Sequence, residues 1–317
     1  MNRRIVIAGG NGFLGRILTA DFLRQQDEVI ILTRSPQLRR EGAKEIAWDG
    51  KAPGDWVRFL NGAGVLINLA GRSVDCRYHR RNRRLILNSR VESTRALGEA
   101  IKRCGKPPGV WLNASTATIY KHSLDRPMDE HCEIGATREA KDEFSVAVAQ
   151  AWEQTLYEAD TPRTRKIALR MAMVLGAGGG VFPVLRRLVR CGLGGKMAEG
   201  SQFVSWIHEA DLCRSIQWLV ARDDLCGAVN LAAPNPIPNR EMMRVLRKIC
   251  GRSFGLPATA WMLEVGAVLL RTETELIIKS RRVVPGRLLK SGFAFTFPTL
   301  EPALADILRH FKSELHS

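Results

Sequence analysis

The chain has 317 residues, 45% hydrophobic and 25% charged, with 48 Lys and Arg against 32 Asp and Glu for a net charge of +16. That length holds one large α/β domain plus a smaller lobe, and the composition excludes a disordered, collagenous or disulfide-stapled chain. The basic balance favours anionic ligands such as nucleotides, phosphates or acidic metabolites, although a host with an arginine-rich proteome gives the same signature.

Seven scattered cysteines without a C-x-x-C pair point to a reduced, intracellular protein. Six histidines without an H-E-x-x-H cluster predict no metal. The N-terminus does not read as a signal peptide. The most apolar later stretch, Ala258–Leu270, is broken by Glu264 and too short to span a membrane. A cytoplasmic protein with no membrane partner is expected.

The first element is the most informative. Ile5–Ala8 is a short apolar, β-branched run with the length of a buried strand, and Phe13, Leu14, Ile17, Leu18 and Leu23 follow at helical spacing. Between them Gly10, Gly12 and Gly15 satisfy G-x-G-x-x-G, with Gly9 just ahead. One glycine lets the chain turn tightly, another lets a pyrophosphate approach the main chain, and a third lets helix and strand pack closely. The helix N-terminus then offers free N–H groups and a partial positive charge to the phosphates. Gly9, Gly12 and Gly15 are therefore assigned to a dinucleotide site.

Helix 13–25 leads to a second strand, Glu28–Thr33. In dinucleotide sites an acid commonly ends this strand and binds the ribose 2′-hydroxyl. Here the strand ends Thr33-Arg34-Ser35. A carboxylate would repel a 2′-phosphate, whereas an arginine flanked by hydroxyls would bind one. A charge-assisted hydrogen bond contributes about 1.5–3 kcal/mol. That is roughly a ten- to hundredfold preference for NADP over NAD, so NADP(H) is the expected cofactor. A third strand, Ala43–Trp48, ends at Asp49, either an adenine contact or a turn residue. The fourth, Val65–Asn68, runs into Ala70-Gly71, where small residues again let the cofactor approach.

The stretch Arg72–Arg90 holds seven arginines (72, 77, 80, 81, 83, 84 and 90) against one acid, Asp75. A solvated helix face accounts for most of them. Leu85, Ile86 and Val91 imply inward packing, and Arg90 is reserved for cofactor or substrate. Nucleic-acid binding here is the weaker reading, since the chain has three tyrosines and no recognised nucleic-acid module. Helix 88–103 precedes a fifth strand, Val110–Ala114, which ends in Ser115-Thr116-Ala117-Thr118-Ile119-Tyr120. Hydroxyls at the carboxyl end of a strand beside a nucleotide site are where an α/β sheet places its chemistry.

A polar loop, 121–139, helix 140–159 and a sixth strand, Arg165–Val174, complete the main pattern. Beyond them, Gly176, Gly178, Gly179 and Gly180, then Gly192, Gly194, Gly195 and Gly200, mark two glycine-rich segments that read either as lids or as plain loops. Helix Val181–Arg190 lies between. Trp206–Asp211 enters helix 211–222, with His208 either against substrate or structural. Strand Ala228–Ala232, helix 239–250 and a mainly helical tail from Arg252 close the chain.

Strands alternating with helices predict an α/β fold: a Rossmann-type doubly wound parallel sheet with a smaller, mostly helical C-terminal lobe. The NADP(H)-binding domain is expected over residues 1–175, with elements near 205–235 packing back on it. Residues 176–204 and 236–317 would form the substrate and lid lobe, including a C-terminal domain at about 252–300.

Gly9-Gly10-Asn11-Gly12-Phe13-Leu14-Gly15 resembles the glycine motif of extended short-chain dehydrogenases/reductases, the NAD(P)-dependent epimerase/dehydratase group. Residues 115–120 are similar to the strand-5 motif of sugar-nucleotide epimerases. Asn68-Leu69-Ala70-Gly71, Ser89-Arg90-Val91, Trp152-Glu153, Arg170–Gly176, Gly200-Ser201-Gln202, Trp206-Ile207-His208 and Asp211 resemble an atypical, sugar-nucleotide-epimerase-like branch. That branch ends in a small domain of unknown function, which Val283-Val284-Pro285 and Leu288–Phe297 resemble. The resemblance implies further cofactor contacts from Phe13, Leu14, Leu69, Ala114 and Met171, and places Thr116 at the family's active-site Ser/Thr.

One departure stands out. The wider family uses a Tyr-x-x-x-Lys pair after strand 5, the tyrosine moving the proton and the lysine lowering its pKa and holding the ribose. Counting back from Trp152-Glu153, those positions hold Phe144 and Val148, and the atypical branch also lacks the pair. Tyr120 is then the best substitute acid, although the favoured reading of it is a packed aromatic. The implied function is an NADP(H)-binding, epimerase-like oxidoreductase acting on a small polar or anionic substrate, a carbonyl compound or sugar nucleotide. The alternative is a non-catalytic NADP(H)-dependent sensor.

Overall fold

The computed structural model describes residues 3–37, 42–259, 261–264 and 278–314. In chain order these form β1 (Arg4–Ala8), α1 (Phe13–Arg24), β2 (Glu28–Thr33), β3 (Lys44–Ala47), β4 (Val65–Asn68), α2 (Arg80–Lys102), β5 (Val110–Thr116), α3 (Glu143–Glu158) and β6 (Arg165–Met171). Then come β7 (Met173–Gly176), β8 (Gly179–Gly180), α4 (Phe182–Arg190), β9 (Phe203–Val204), β10 (Trp206–His208), α5 (Glu209–Ala221) and β11 (Gly227–Leu231). β12 (Ile237–Pro238), α6 (Asn239–Ile249), α7 (Gly286–Lys290) and α8 (Leu300–Glu314) follow. Much of the apolar stretch Ala258–Leu270 lies outside the described residues.

Among the described residues a seven-stranded sheet runs in the order β11-β6-β5-β4-β1-β2-β3, with every pairing parallel. Helices cover both faces, so the strands must be apolar on both. Ile5, Ile7, Val29, Ile31, Val65 and Ile67 pack with Leu18 and Phe22 of α1 and Leu212, Ile216 and Leu219 of α5. Val6, Ala8, Ile30, Leu32 and Leu66 face the other way, against Leu97, Ala100 and Ile101 of α2 and Leu156 of α3. This alternation is the two-residue period of a strand with both sides filled. Each fully buried Ile or Leu contributes roughly 1.5–3 kcal/mol.

β1 pairs with β2 on one side and β4 on the other, so the strand order reverses there. The crevice outside the carboxyl ends of β1 and β4 is the topological switch point, where open α/β sheets bind ligands.

Three elements depart from their predicted form. The sixth strand breaks after Met171. The Ala172 N–H still donates to the Leu231 carbonyl (3.0 Å), but β7 leaves the main sheet to pair with β10 and β8. α2 begins at Arg80, well ahead of the predicted start, because Tyr78 and Ile86 pack with Val148 of α3 and anchor its opening turns. The glycine-rich segments are packed at most of their glycines, Gly178 and Gly192 excepted. A Cβ on Gly195 would lie 2.4 Å from the Leu256 backbone, and Gly195 N–H and Leu256 O bond at 3.0 Å, so these glycines serve close backbone contact. A second core, with Phe182, Leu185 and Val189 of α4, Met242, Met243 and Leu246 of α6, and Leu304 and Ile307 of α8, lies beside them.

Candidate functional site

The bend between β1 and α1 is closed by the chain itself at two points and open at a third. Gly9 has a φ of +76°, and a Cβ there would lie 2.9 Å from the Ala70 backbone. Gly15 is tighter still, its Cβ position 2.2 Å from the Gly10 carbonyl oxygen. Gly12 is the exception: a Cβ there would meet nothing within 4 Å. It is the N-cap of α1, with no side-chain cap, and the first turn of α1 carries no acid. The N–H groups opening α1 therefore face the crevice without a competing acceptor of their own. Next to them, the Phe13 ring lies under the first glycine-rich segment. Cβ atoms on Gly176, Gly179 and Gly180 would sit 3.0, 2.9 and 2.9 Å from ring atoms. This segment walls the bend.

One edge of the crevice is the end of β2. The Asn11 side-chain amide donates to Thr33 Oγ1 (3.0 Å), and the Gly9 N–H to the Leu32 carbonyl (2.9 Å), so bend and strand end are tied together. Arg34 and Ser35 are exposed just beyond, and no hydrogen bond or ion pair joins Arg34 to the described residues. Asp49 is a turn residue, its carboxylate accepting the Lys51 and Ala52 N–H groups (2.8 and 3.3 Å).

On the other side, the Leu69 N–H donates to the Ala8 carbonyl (2.8 Å) and the Ala70 N–H to Asn68 Oδ1 (3.0 Å). Asn68 is fully buried; its amide nitrogen donates to Asn113 (2.7 Å) and Thr94 (3.1 Å), and Trp152 also donates to Thr94 (3.0 Å). This network holds the Leu69–Gly71 turn against the bend. Arg90 is tied to the same turn. It donates to the Arg72 and Ile86 carbonyls (both 3.1 Å), lies over the Trp152 ring, and would meet a Cβ on Gly71 at 3.3 Å. Burial, opposed by Tyr78, pulls its pKa down to about 10.

Thr116 and Met171 are register partners at the carboxyl ends of β5 and β6. Thr116 Oγ1 accepts the Thr118 N–H and donates to Thr118 Oγ1, both at 3.1 Å, and so caps the 3-10 turn that follows. Ala114 lies further back, buried within the strand. Tyr120 does not suit the role of proton donor. It is fully buried, its hydroxyl donating to Asn230 (2.8 Å) and accepting from Arg170 (2.9 Å). Burial, opposed by Arg170, pushes its pKa up to about 12. Of the two readings of this residue, burial and these bonds support the packed ring. Phe144 and Val148 are equally committed, packed with Tyr78 and Ile86, the Tyr78 and Phe144 ring centroids 5.0 Å apart. His208 is structural too, capping α5 by accepting the Ala210 N–H (3.0 Å) and stacking on Phe297.

The model of the NAD dependent epimerase/dehydratase family matches residues 5–232. The chain belongs to this family. A domain of unknown function, DUF1731, matches residues 258–307. The chain is 29% identical over 312 residues to the epimerase family protein YfhF of Bacillus subtilis, covering 98% of this chain and 99% of that one. It is 30% identical over 308 residues to the human epimerase family protein SDR39U1, covering 96% and 99%. The crystal structure of SDR39U1 isoform 2 with NADPH superposes with a TM-score of 0.84 at 27% identity, over 96% of this chain and 98% of that one.

Ser115, Tyr120, Glu153 and Arg170 were named within sequence motifs but not connected. Ser115 donates to Glu153 (2.6 Å), and Glu153 pairs at two points with Arg170, so one buried chain links β5, α3, β6 and Tyr120. Burial disfavours the Arg170 charge, but the bonds to Glu153 outweigh it and hold the guanidinium above its usual value. The signal was the motifs that carry them; nothing in their spacing showed that the side chains meet. Arg72, Arg77, Arg80, Arg81, Arg83 and Arg84 are exposed along the opening of α2. Among the described residues no group of three or more His, Cys, Asp or Glu is placed to hold a metal ion, and no helix is long and apolar enough to cross a membrane.

Proposed function

We propose that the crevice at the β1–β4 switch point binds NADP(H), and that the protein is an epimerase-like oxidoreductase for a small polar or anionic substrate. The observation that carries this reading is the open cradle at Gly12, with uncapped α1 amides on one side and exposed Arg34 on the other. Gly9, Gly12, Phe13, Leu14 and Gly15 would hold the pyrophosphate; Thr33, Arg34 and Ser35 the 2′-phosphate; Leu69, Ala70, Gly71 and Arg90 the middle of the cofactor; and Ala114 and Met171 its nicotinamide end. The crystal structure of human SDR39U1 with NADPH supports the same cofactor here. Bound there, the nicotinamide supplies or takes up a hydride.

Thr116 is the residue assigned to the substrate. Its hydroxyl accepts the Thr118 amide and donates to Thr118 Oγ1, and it would exchange the second of these bonds for one to a substrate oxygen. This is orientation and hydrogen bonding, which supports a hydride acceptor without the family's tyrosine. Purified protein with NADPH and a panel of carbonyl compounds and nucleotide sugars tests it. NADPH oxidation that is lost in Thr116→Ala supports the enzyme.

The packing of Phe144, Val148 and Tyr120 favours a second reading, an NADP(H)-dependent sensor without turnover. Tight NADPH binding with no oxidation by any member of the panel supports that reading instead.

A further inference from the structure

The C-terminal domain reaches the carboxyl end of the sheet through a strap formed by residues 278–284. Val283 bridges to Met128, its N–H donates to Ser205 Oγ (2.7 Å), and the Ser280 N–H donates to His122 Nδ1 (3.1 Å). The strap brings two cations to Thr118. The Lys279 ammonium donates to the Thr118 carbonyl (2.6 Å), and Arg281 Nη1 donates to Thr118 Oγ1 (3.2 Å). Thr118 is the residue whose amide and hydroxyl both bond Thr116.

Lys279 also forms an ion pair with Asp142, their side chains only 1% and 0% exposed. Asp142 precedes α3, and its other carboxylate oxygen accepts the Thr137 N–H (2.9 Å). A buried pair of this kind adds little net stability, because desolvation offsets the attraction. What it does is fix three things together: the head of α3, the strap, and the turn after β5.

We propose that Lys279 is a positioning residue for the nicotinamide half of the site, its ammonium holding the Thr116–Thr118 turn from the C-terminal domain. This rests on the reading that the nicotinamide lies at the end of β5. The site is then incomplete without a residue from the domain of unknown function.

The test compares two probes on the full chain: NADPH, and adenosine 2′,5′-bisphosphate, which carries the adenine, its ribose and the 2′- and 5′-phosphates but lacks the nicotinamide half. In the apolar double variant Asp142→Leu with Lys279→Met, NADPH is expected to bind about tenfold more weakly, while the bisphosphate stays within about twofold of the parent. Equal weakening of both probes, or NADPH affinity unchanged, overturns the proposal. Should the double variant fail to fold, hydrogen exchange on the parent protein decides. NADPH is expected to slow the amides of Ser280–Val283 together with those of Thr116–Tyr120, and no slowing at Ser280–Val283 overturns it. A parent protein that does not bind NADPH overturns the reading of the crevice itself, whereas a parent that binds with an indifferent double variant overturns only the role of Lys279.

Discussion

Arg170 and Glu153 meet at two points, Nε to Oε1 at 2.9 Å and Nη2 to Oε2 at 2.8 Å, with both side chains only 8% exposed. Removing one partner leaves an uncompensated buried charge, which costs about 3–5 kcal/mol. Glu153→Ala is expected to lose that much in urea unfolding. Tyr120→Phe deprives both Arg170 and Asn230 of a partner and is expected to cost about 1–3 kcal/mol. If Tyr120→Phe unfolds like the parent but abolishes turnover, the ring is catalytic and its structural assignment fails.

Gly12 separates binding from folding. Its φ of −76° and ψ of 175° suit alanine, and a Cβ there meets nothing within 4 Å. Gly12→Ala is expected to unfold within about 0.5 kcal/mol of the parent. It should nevertheless lose most of its NADPH affinity, because the methyl group occupies the path by which a pyrophosphate reaches the backbone. Gly15→Ala, whose Cβ would fall 2.2 Å from a carbonyl oxygen, should lose both. Unimpaired NADPH binding by folded Gly12→Ala would show that the open cradle is not the phosphate site.

His208 sets an acid-side limit. Burial holds its pKa below the usual 6.5, opposed by Asp306 and Asp211, with His310 adding to the depression. His122 is lowered in the same way by burial, with Glu139 and Asp142 opposing and Lys279 assisting. Below pH 6.5 the unfolded chain therefore binds protons that the folded chain does not, and stability falls as pH falls, by at most about 1.4 kcal/mol per pH unit per histidine. Glu130, raised by burial, acts in the opposite sense near the lower end of this range. The useful quantity is thus a difference. His208→Asn keeps an acceptor for the Ala210 N–H and is expected to flatten the slope of unfolding free energy between about pH 5 and 6.5 relative to the parent. A parallel slope would show that His208 is not the titrating group.

The sheet was legible because its signal is local. An apolar run with both faces buried and a glycine bend at the right spacing reads directly from residues 4–15, and β2 and β4 fall where the pattern put them. The early start of α2 was hidden because Tyr78 and Ile86 find their partner, Val148, in α3, far along the chain. The exposed strand end at Thr33-Arg34-Ser35, proposed above as the 2′-phosphate edge, could be located by counting from the glycines. The Glu153–Arg170–Tyr120 chain and the Lys279–Asp142 pair could not, since each joins elements separated in sequence and leaves no periodic trace. The packing of the glycine-rich segments was not legible for a related reason: glycine allows both mobility and close backbone contact, and only the contacts at Phe13 and Leu256 show the second.

The most direct measurement is the affinity for NADPH and for NADH of the parent and of Arg34→Ala, read by nicotinamide fluorescence at fixed ionic strength. A parent preference for NADPH of roughly ten- to hundredfold is expected, abolished in Arg34→Ala with NADH affinity unchanged. Equal affinities in the parent, or a preference that survives the loss of Arg34, would contradict the placement of a 2′-phosphate at the end of β2.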